Sequence, residues 1–351
     1  MNLRFAILGC GRIAPRHADS LQRIQGASIT AFADIIPQRA QDFASKYSAE
    51  AFPSLDALIK KDVFDVACVC TPSGLHAEHA IALMNAGKHV VVEKPMALRL
   101  EDADAMIKTA QAKGVSLFVV KQNRFNLPVQ AVRKAFEEGR FGKLVLGTVR
   151  VRWCRTQAYY DQADWRGKWA MDGGVFSNQA SHHIDLLEWF MGDVESVFSR
   201  TATQLVNIEC EDTGIATLRF KSGALGVIEA TTATRPVDLE GSLSIMGATG
   251  TAEISGFAVN KIRHFNFTER RAEDAEVISR YSDAPPSVYG FGHLAYLQNV
   301  VDSLGGSTKP AVDGVEGRRS LELIHALYAS AETGREIFLG KAPPHSRLGL
   351  G

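Results

Sequence analysis

The sequence predicts an α/β protein with two domains: an N-terminal doubly wound parallel sheet, and a C-terminal α+β domain with a large, mostly antiparallel open sheet. The 351 residues exceed what one hydrophobic core usually holds. Early in the chain, apolar strands alternate with helices, which implies right-handed crossovers and a parallel sheet. Later, alternating apolar and polar residues between glycine-rich turns indicate antiparallel strands. We place the first domain at residues 1–122 and the second at residues 123–351.

The elements of the first domain follow from short apolar runs and from apolar residues at helical spacing. Gly26, Gly87 and Gly114 end the predicted helices. In chain order, the predicted elements are the strand Leu3–Leu8, the helix Ile13–Ile24, the strands Ser28–Ala33 and Asp65–Cys70, the helix Leu75–Asn85, the strand His89–Val92, the helix Glu101–Lys113 and the strand Val115–Val120.

The second domain begins where the regular alternation of strands and helices ends, after about Gln122. The predicted elements are the helix Val129–Glu137, the strand Leu144–Trp153, the helix Phe176–Phe190, the strands Gly214–Phe220, Ala224–Thr231 and Gly241–Gly247, and the helices Gly292–Leu304 and Gly317–Glu332. The polar stretch Thr268–Pro286 is either a surface excursion or an oligomer contact.

Composition argues against several classes of protein. Acidic and basic residues number 39 each, so the chain lacks the basic excess of proteins that coat nucleic acids or bind acidic membranes. The five cysteines form no C-x-x-C pair, which argues against a disulfide framework and a structural zinc site and favours a reducing cytoplasm. No apolar run approaches the length of a membrane span.

The segment Gly9–Ala14 has the pattern G-x-G-x-x-A between the first strand and the first helix. Gly9 permits the tight turn, Gly11 lets the backbone approach a pyrophosphate, and the small Ala14 lets the helix lie close to the strand. Asp34 ends the second strand about 20 residues later, where a carboxylate binds both hydroxyls of a ribose. The sequence therefore predicts a Rossmann domain that binds a dinucleotide.

The residues around Asp34 favour NAD over NADP. A carboxylate repels a 2′-phosphate, and the next two residues are isoleucines, not an arginine that would bind this phosphate. Arg39, one helical turn farther on, favours the alternative, because an arginine there would bind the 2′-phosphate of NADP.

Two predicted strands end in unusual sequences, Thr71-Pro72 and Glu93-Lys94-Pro95. Parallel strands present their carboxyl ends to the ligand crevice. A lysine there, beside a cationic nicotinamide, should have its pKa lowered toward the range useful for acid–base work. A solvated surface lysine fits the same spacing, so the spacing alone leaves both interpretations open.

The segment Asp172–Asp185, D-G-G-V-F-S-N-Q-A-S-H-H-I-D, indicates a two-glycine turn into a helix with Asn178 and His182 on one face. Together with the glycine turn and the E-K-P lysine, it resembles the glucose–fructose oxidoreductase/inositol dehydrogenase family (Gfo/Idh/MocA) over essentially the whole chain. The resemblance implies that Lys94 contacts the reacting hydroxyl and that His182 acts as acid or base. We predict no metal, because no cysteine–histidine ligand set of a zinc-dependent alcohol dehydrogenase is visible.

Where many members of this family carry a catalytic aspartate, this chain has Asn178. An amide positions an oxygen atom but does not accept a proton at neutral pH, which leaves Lys94 or His182 as the base. Our hypothesis is that a carboxylate on the substrate supplies the missing charge. Unchanged turnover of the charged substrate in Asn178→Asp would contradict it.

Within the family, the segments Val119–Arg124, Trp165–Trp169 and Asn178–His182 are most similar to bacterial UDP-N-acetylglucosaminuronate (UDP-GlcNAcA) 3-dehydrogenases of lipopolysaccharide synthesis. Tyr159-Tyr160 and Ser287–Gly290 extend the similarity. The resemblance implies oxidation of the C3 hydroxyl of this UDP-sugar to a 3-keto sugar, with hydride passing to NAD⁺, in a homo-oligomer that is a tetramer. It leaves open whether NADH leaves or is reoxidised in place by a 2-oxo acid.

The predicted site residues form two sets. Those for the cofactor are Gly9, Gly11, Arg12, Ile13, Asp34, Thr71, Pro72, His76, Glu93, Lys94, Gln122, Trp165 and Arg166. Those for the substrate are Lys94, Gln122, Asn123, Arg155, Tyr159, Asn178, Ser181, His182 and Tyr289.

Several alternatives remain beside this interpretation. Guanidinium groups suit a diphosphate and a uronate, and Arg124, Arg152, Arg155 and Arg166 offer them. Arg150 and Arg152 fit a charged sheet face equally well. Another sugar or an inositol is the nearest rival substrate, and a non-catalytic NAD-binding regulator is the rival from another class. The presence of both Lys94 and His182 disfavours the regulator.

Overall fold

The computed structural model describes residues 2–281, 292–340 and 342–351. Two compact units divide the chain, Met1–Lys121 with His293–Arg319 and Gln122–Gly292 with Ser320–Gly351. The sequence prediction placed residues 293–319 in the second domain, whereas they pack on the first unit. Phe118 forms a β-bridge with Asp313, and Gly317 leaves room for Val119. In the described ranges, no helix is long and apolar enough to cross a bilayer.

The first unit begins with strands and helices in alternation. In chain order these are β1 (Leu3–Leu8), α1 (Ala14–Leu21), β2 (Ala27–Ala33), α2 (Pro37–Tyr47), β3 (Glu50–Phe52), α3 (Leu55–Ile59), β4 (Val66–Val69), α4 (His76–Asn85), β5 (His89–Val92), α5 (Leu100–Lys113) and β6 (Leu117–Val119). The strands form one parallel sheet in the order β3-β2-β1-β4-β5-β6. The predicted doubly wound parallel sheet is confirmed.

Strand β1 lies inside this sheet, with β2 on one side and β4 on the other. Strand order reverses here, and open α/β sheets bind ligands at such a point, outside the carboxyl ends of the strands. The residues of β4 are fully buried, as expected for a strand covered on both faces. The segments after β1, β4 and β5 therefore share one edge of the sheet, and each carries predicted site residues.

The remaining elements complete the chain. They are α6 (Leu127–Glu137), β7 (Leu144–Arg152), α7 (Gln157–Tyr160), α8 (Ser181–Met191), β8 (Val194–Ala202), β9 (Thr213–Phe220), β10 (Leu225–Thr231), β11 (Glu240–Gly247), β12 (Gly250–Ser255), β13 (Lys261–Phe267), α9 (Asp274–Arg280), α10 (Gly292–Leu304), α11 (Gly314–Thr333) and β14 (Ile337–Phe338). Strands β7–β14 form a second sheet in the order β13-β12-β11-β7-β10-β9-β8-β14. It is antiparallel except for the parallel pair β7–β10, which confirms the predicted mostly antiparallel sheet.

Helix α8 lies on one face of the second sheet, against β7. A Cβ at Gly147 of β7 would lie 2.6 Å from Cγ of Met191 and 2.8 Å from Cδ1 of Leu187, so glycine allows the close approach. The sequence predicted a helix from Phe176, but the regular helix begins at Ser181 and turns precede it. This sheet thus fixes α8, while another contact must fix the turns before it.

Candidate active site

The turn between β1 and α1 has the geometry expected for phosphate binding. Gly9 has φ +94°, and a Cβ there would lie 2.8 Å from the carbonyl carbon of Cys70, so only glycine fits. Gly11 is exposed, and a Cβ there would meet nothing within 4 Å, which leaves space for a ligand. Arg12 and Ile13 stand directly before α1, whose N-terminus favours an anion. These residues fit a dinucleotide.

Asp34 is buried at the end of β2, and its carboxylate accepts two backbone hydrogen bonds. Cys10 N lies 2.7 Å from Oδ2, and Ile36 N lies 2.8 Å from Oδ1. The carboxylate thus ties β2 to the glycine turn, and its other lone pairs remain for ribose hydroxyls. Ile35 is 86% exposed and offers an apolar surface beside this carboxylate.

We expect Asp34→Ala to raise KM for NAD⁺ by about 10- to 100-fold and to change KM for NADP⁺ much less. The reason is that a hydrogen bond to a charged group contributes about 1.5–3 kcal/mol. Initial rates with both cofactors give the ratio of the KM for NAD⁺ to the KM for NADP⁺. Melting curves show separately how much stability the variant loses with the two backbone hydrogen bonds. Asp42→Ala, which removes an exposed carboxylate of α2, is the control. An unchanged ratio of the two KM values would contradict a role at the ribose.

His76 joins the ends of β4 and β5. Its Nδ1 lies 2.7 Å from the carbonyl oxygen of Pro95, and its Nε2 lies 2.8 Å from that of Thr71. Burial lowers the pKa of His76, and a neutral imidazole donates only one of these two bonds. The ring therefore positions the backbone around Thr71, Pro72 and Lys94. Its contact with the cofactor stays a prediction.

Glu93 points into the first unit and pairs with a histidine. Its Oε1 lies 2.8 Å from Nε2 of His17 and 3.9 Å from Nε2 of His293. Burial raises the pKa of Glu93. The hydrogen bond and the charge of His17 lower this pKa by more than burial raises it, so the net value is about 2. Burial disfavours the charged ring of His17, yet Cys70 and Cys68 beside it hold its pKa well above the usual value. Since burial lowers the pKa of His293 to about 4, one imidazolium neutralises one carboxylate.

Lys94 follows this buried pair directly. Its backbone N–H donates to Oε2 of Glu93 at 3.2 Å, while its side chain is partly exposed at the carboxyl edge of the sheet. The pair of His17 and Glu93 therefore anchors the backbone immediately before the candidate catalytic lysine.

Asn178 lies in the turns before α8, and not on the helix as predicted. Its Nδ2 donates to Oδ1 of Asp172 at 2.5 Å, and Oδ2 of Asp172 accepts from Gly167 N at 3.0 Å. The hydroxyl of Ser181 donates to the carbonyl oxygen of Asn178 at 3.0 Å. Ser181 is buried and caps this turn, so its contact with a substrate stays a prediction.

Glu211 and Tyr328 hold the turn that leads into α8. Oε1 of Glu211 accepts from Phe176 N at 2.9 Å and from the hydroxyl of Tyr328 at 2.8 Å. That hydroxyl in turn accepts from Gly174 N at 3.1 Å and Ser177 N at 3.2 Å. Because these side chains take the amides of the turn, the regular helix starts only after it. A Cβ at Gly174 would lie 2.1 Å from Oε2 of Glu211, so a glycine is required here.

Glu211 makes stability depend on pH. Burial raises its pKa from 4.5 to about 7, so its contribution is fully present below about pH 4.5 and is lost as pH rises to about 7. Relative to Glu211→Gln, the wild-type chain should lose on the order of 3 kcal/mol of unfolding free energy over this interval. Urea denaturation at a series of pH values measures the difference, with the exposed Glu195→Gln as control. A difference that stays constant with pH would contradict the raised pKa.

Gln122 orients the candidate catalytic imidazole. Its Nε2 lies 3.0 Å from Nε2 of His182, and both side chains are buried. An amide nitrogen only donates, so Nε2 of His182 is the acceptor in this contact. The neighbouring Asn123 is buried, and its Oδ1 meets no hydrogen-bond partner within the described residues. That buried oxygen therefore keeps an unused acceptor position.

Most candidate arginines are bound by carboxylates. Arg124 forms a buried two-pronged pair with Asp185, with distances of 2.7 and 2.8 Å. Arg150 and Arg152 pair with glutamates across the sheet, which fits the alternative of a charged sheet face. Nη1 of Arg155 lies 2.9 Å from Asp238.

Arg166 differs because its partners are aromatic. Its Nη1 donates to the hydroxyl of Tyr159 at 2.6 Å, and its guanidinium carbon lies 4.4 Å from the Tyr159 ring and 4.6 Å from the Trp165 ring. The structure thus brings together three residues that the sequence predicted for the site. A cation between aromatic faces suits an anionic group next to a planar ring.

Tyr289, which the sequence predicts for the substrate site, lies outside the described residues. His17, Glu211 and Tyr328 were not predicted, and no local pattern marks them. Asp172 is the first residue of the predicted motif Asp172–Asp185. Its place in that motif, six residues before Asn178, was a signal for its contact with Asn178.

Known proteins resemble this chain along almost its whole length. Residues 3–121 match the NAD-binding Rossmann fold of an oxidoreductase family (GFO/IDH/MocA), and residues 133–339 match the C-terminal α/β domain of that family. The WlbA dehydrogenase of Bordetella pertussis, solved with NADH and UDP-GlcNAcA, is 45% identical with a TM-score of 0.92, over 97% of this chain and 99% of that one. WlbA of Chromobacterium violaceum, solved with the same ligands, is 44% identical with a TM-score of 0.92, over 97% of each chain.

A curated relative also spans both domains. The myo-inositol 2-dehydrogenase of Thermotoga maritima is 30% identical over 96% of this chain and 98% of that protein. Both halves of the family pattern are thus present, with a turn that fits a dinucleotide. The chain belongs to the Gfo/Idh/MocA family of NAD-binding oxidoreductases.

Proposed function

We propose that this chain oxidises the C3 hydroxyl of UDP-GlcNAcA to a 3-keto sugar, with NAD⁺ as the hydride acceptor. The observation that carries this is the 45% identity, over 97% of the chain, to a WlbA dehydrogenase solved with NADH and UDP-GlcNAcA. An inositol is the second candidate substrate, because the myo-inositol 2-dehydrogenase matches a similar share of the chain. Its identity of 30% makes it the weaker candidate.

When bound, NAD⁺ accepts the hydride that leaves the C3 carbon. The turn from Gly9 to Ile13 holds its pyrophosphate, and Asp34 binds the ribose hydroxyls. The exposed Ile35 offers an apolar surface for the adenine. The carboxylate of Asp34 disfavours a 2′-phosphate, which supports NAD⁺ over NADP⁺.

Lys94 takes the proton of the reacting hydroxyl. This is supported by the hydrogen bond from Gln122, because His182 can accept a proton on Nε2 only by giving up that bond. The O–H proton then passes to Nζ of Lys94 as the C–H bond gives up its hydride and the carbonyl forms. His182 positions the sugar, with Gln122 donating to its Nε2.

The charged and planar parts of the substrate suit the aromatic cluster of Tyr159, Trp165 and Arg166. Its guanidinium binds an anionic group, and its rings offer stacking faces for uracil or a sugar. Asn123 and Asn178 supply amides for hydroxyl and acetamido groups. Arg155, Ser181 and Tyr289 stay predictions for the same site.

We also propose a homo-oligomer, a tetramer as the family resemblance implies, in a reducing cytoplasm. The second sheet exposes large apolar side chains, as expected of a surface that meets another subunit. These include Phe198, Ile215, Leu225 and Val227. All five cysteines are free, which supports a reducing compartment.

The test is substrate preference with purified protein. Formation of NADH is followed with NAD⁺ and UDP-GlcNAcA, UDP-N-acetylglucosamine or myo-inositol. We expect kcat/KM for UDP-GlcNAcA to exceed the others by at least about 100-fold. Deuterium placed at C3 should appear in the NADH, whereas deuterium at C4 should not. Preference for myo-inositol, or transfer of deuterium from C4, would overturn the proposal.

A further inference from the structure

We propose that Asp172 fixes the orientation of the Asn178 amide, so that Asn178 presents its oxygen Oδ1 to the substrate as a hydrogen-bond acceptor. The test of this inference by kcat with UDP-GlcNAcA rests on the proposed function. Asp172 acts through Asn178 and is therefore a positioning residue.

The contacts of Asp172 determine which side of the amide faces it. Asp172 is 1% exposed, and an ionised carboxylate only accepts hydrogen bonds. One oxygen accepts from Gly167 N at 3.0 Å, and the other accepts from Nδ2 of Asn178 at 2.5 Å. The amide therefore turns its nitrogen toward Asp172 and its oxygen the other way.

The backbone on both sides of this contact is held in place. The hydroxyl of Ser177 donates to the carbonyl oxygen of Asp172 at 3.0 Å. Asn178 N donates to the carbonyl oxygen of Gly174 at 2.9 Å, and Ser181 caps the carbonyl oxygen of Asn178. The two side chains thus meet in one fixed geometry.

Two titratable neighbours of Asp172 carry no charge that would compete for this contact. Burial raises the pKa of Tyr160 and of Cys210, both of which interact with Asp172, so both are neutral near pH 7. Glu211, on the other side of the same turn, has its pKa raised to about 7 by burial. A buried carboxylate therefore already lies one hydrogen bond from position 178.

This arrangement gives a local reason for the asparagine. An aspartate at 178 would place two carboxylates in contact, and such a pair ionises fully only at a large cost. Asp172 thus offers an acidic group within the fold, without a carboxylate from the substrate.

Three variants separate orientation from charge. In Asp172→Asn, the amide at 172 keeps its oxygen on Gly167 N and turns its nitrogen to Asn178, which must then rotate and face the substrate with a donor. Asn178→Asp creates the carboxylate pair. The double variant Asp172→Asn/Asn178→Asp restores one amide and one carboxylate, with an acceptor again facing the substrate.

We expect each single variant to lower kcat for UDP-GlcNAcA by about 10- to 100-fold, with NADH binding unchanged. The double variant should recover kcat to within about 10-fold of wild type, because the acceptor returns. The exposed Asp164→Asn is the control. Full activity in Asp172→Asn, or a double variant no better than both single ones, would overturn the inference.

A second measurement needs no substrate. In Asn178→Asp, contact between the carboxylates raises one pKa, so its melting temperature should fall relative to wild type as pH rises from about 4 to 8. The double variant should lack this trend. A wild-type pH dependence in Asn178→Asp would show that the contact is absent and overturn the inference. The expected melting pattern in a chain inactive on UDP-GlcNAcA would overturn the proposed function alone.

Discussion

Lys94→Ala is expected to lower kcat by about 10²- to 10⁴-fold, the range that a positioned acid or base contributes. His182→Ala should lower kcat at the low end of that range, because its Nε2 is already bound by Gln122 and it positions the sugar. The affinity for NADH should change little in either variant. Steady-state rates give kcat, and a fluorescence titration gives the affinity for NADH.

The pH profile distinguishes the two residues. Oxidation needs a deprotonated base, so the wild-type rate should rise with pH. If Lys94 is that base, Lys94→Ala loses this rise and His182→Ala keeps it. A small primary amine added to Lys94→Ala should restore part of the rate.

Two exposed residues serve as controls for these variants. Lys113→Ala removes an ammonium group at the end of α5, and His264→Ala removes an imidazole from β13. Both should leave kcat unchanged. Near-normal turnover in both single variants, Lys94→Ala and His182→Ala, would contradict the assignment of these residues to the active site.

The parallel sheet could be predicted because its signals are local. Apolar runs and glycines gave β1 as Leu3–Leu8 and β5 as His89–Val92, with the bounds that the structure shows. The start of α8 could not be predicted in this way. It depends on Glu211 and Tyr328, which lie 35 and 154 positions from the amides of Phe176 and Gly174 that they bind.

The same limit applies to the candidate site. Gly9, Gly11 and Asp34 belong to one compact motif, so the sequence alone indicates a dinucleotide. Which group an arginine binds is decided by the carboxylate that folding brings to it. Arg124 meets Asp185 from 61 positions away, and no pattern near Arg124 announces that partner.

His17→Leu is expected to lower the free energy of unfolding by about 3–5 kcal/mol, because it leaves a buried carboxylate without its imidazolium. Glu93 lies in the first unit, 2.8 Å from Nε2 of His17, with both side chains nearly inaccessible to water. Urea denaturation at pH 6 measures the loss. The exposed His264→Leu is the control.

The size of this loss should depend on pH in a defined way. The pKa of Glu93 is lowered from 4.5 to about 2, so its contribution is present above about pH 4.5 and is lost as pH falls toward 2. The pKa of His17 is raised, so its contribution is present below about pH 6.5 and is lost as pH rises through the folded-state value. The difference between wild type and His17→Leu should therefore be largest between about pH 4.5 and 6.5. A difference that grows steadily above pH 7 would contradict the ion pair.

A double variant separates the stability of this pair from its effect on Lys94. Replacing a buried ion pair by apolar residues is often neutral, so His17→Leu/Glu93→Leu should regain most of the stability that His17→Leu loses. Its kcat should nevertheless fall below that of wild type and of His17→Leu, because Lys94 N loses its bond to Oε2 of Glu93 and the lysine is no longer held at the strand end. A double variant with restored stability and wild-type kcat would show that the pair only fills the core. Recovery of stability alone would show that folding and catalysis use the same carboxylate through different oxygens.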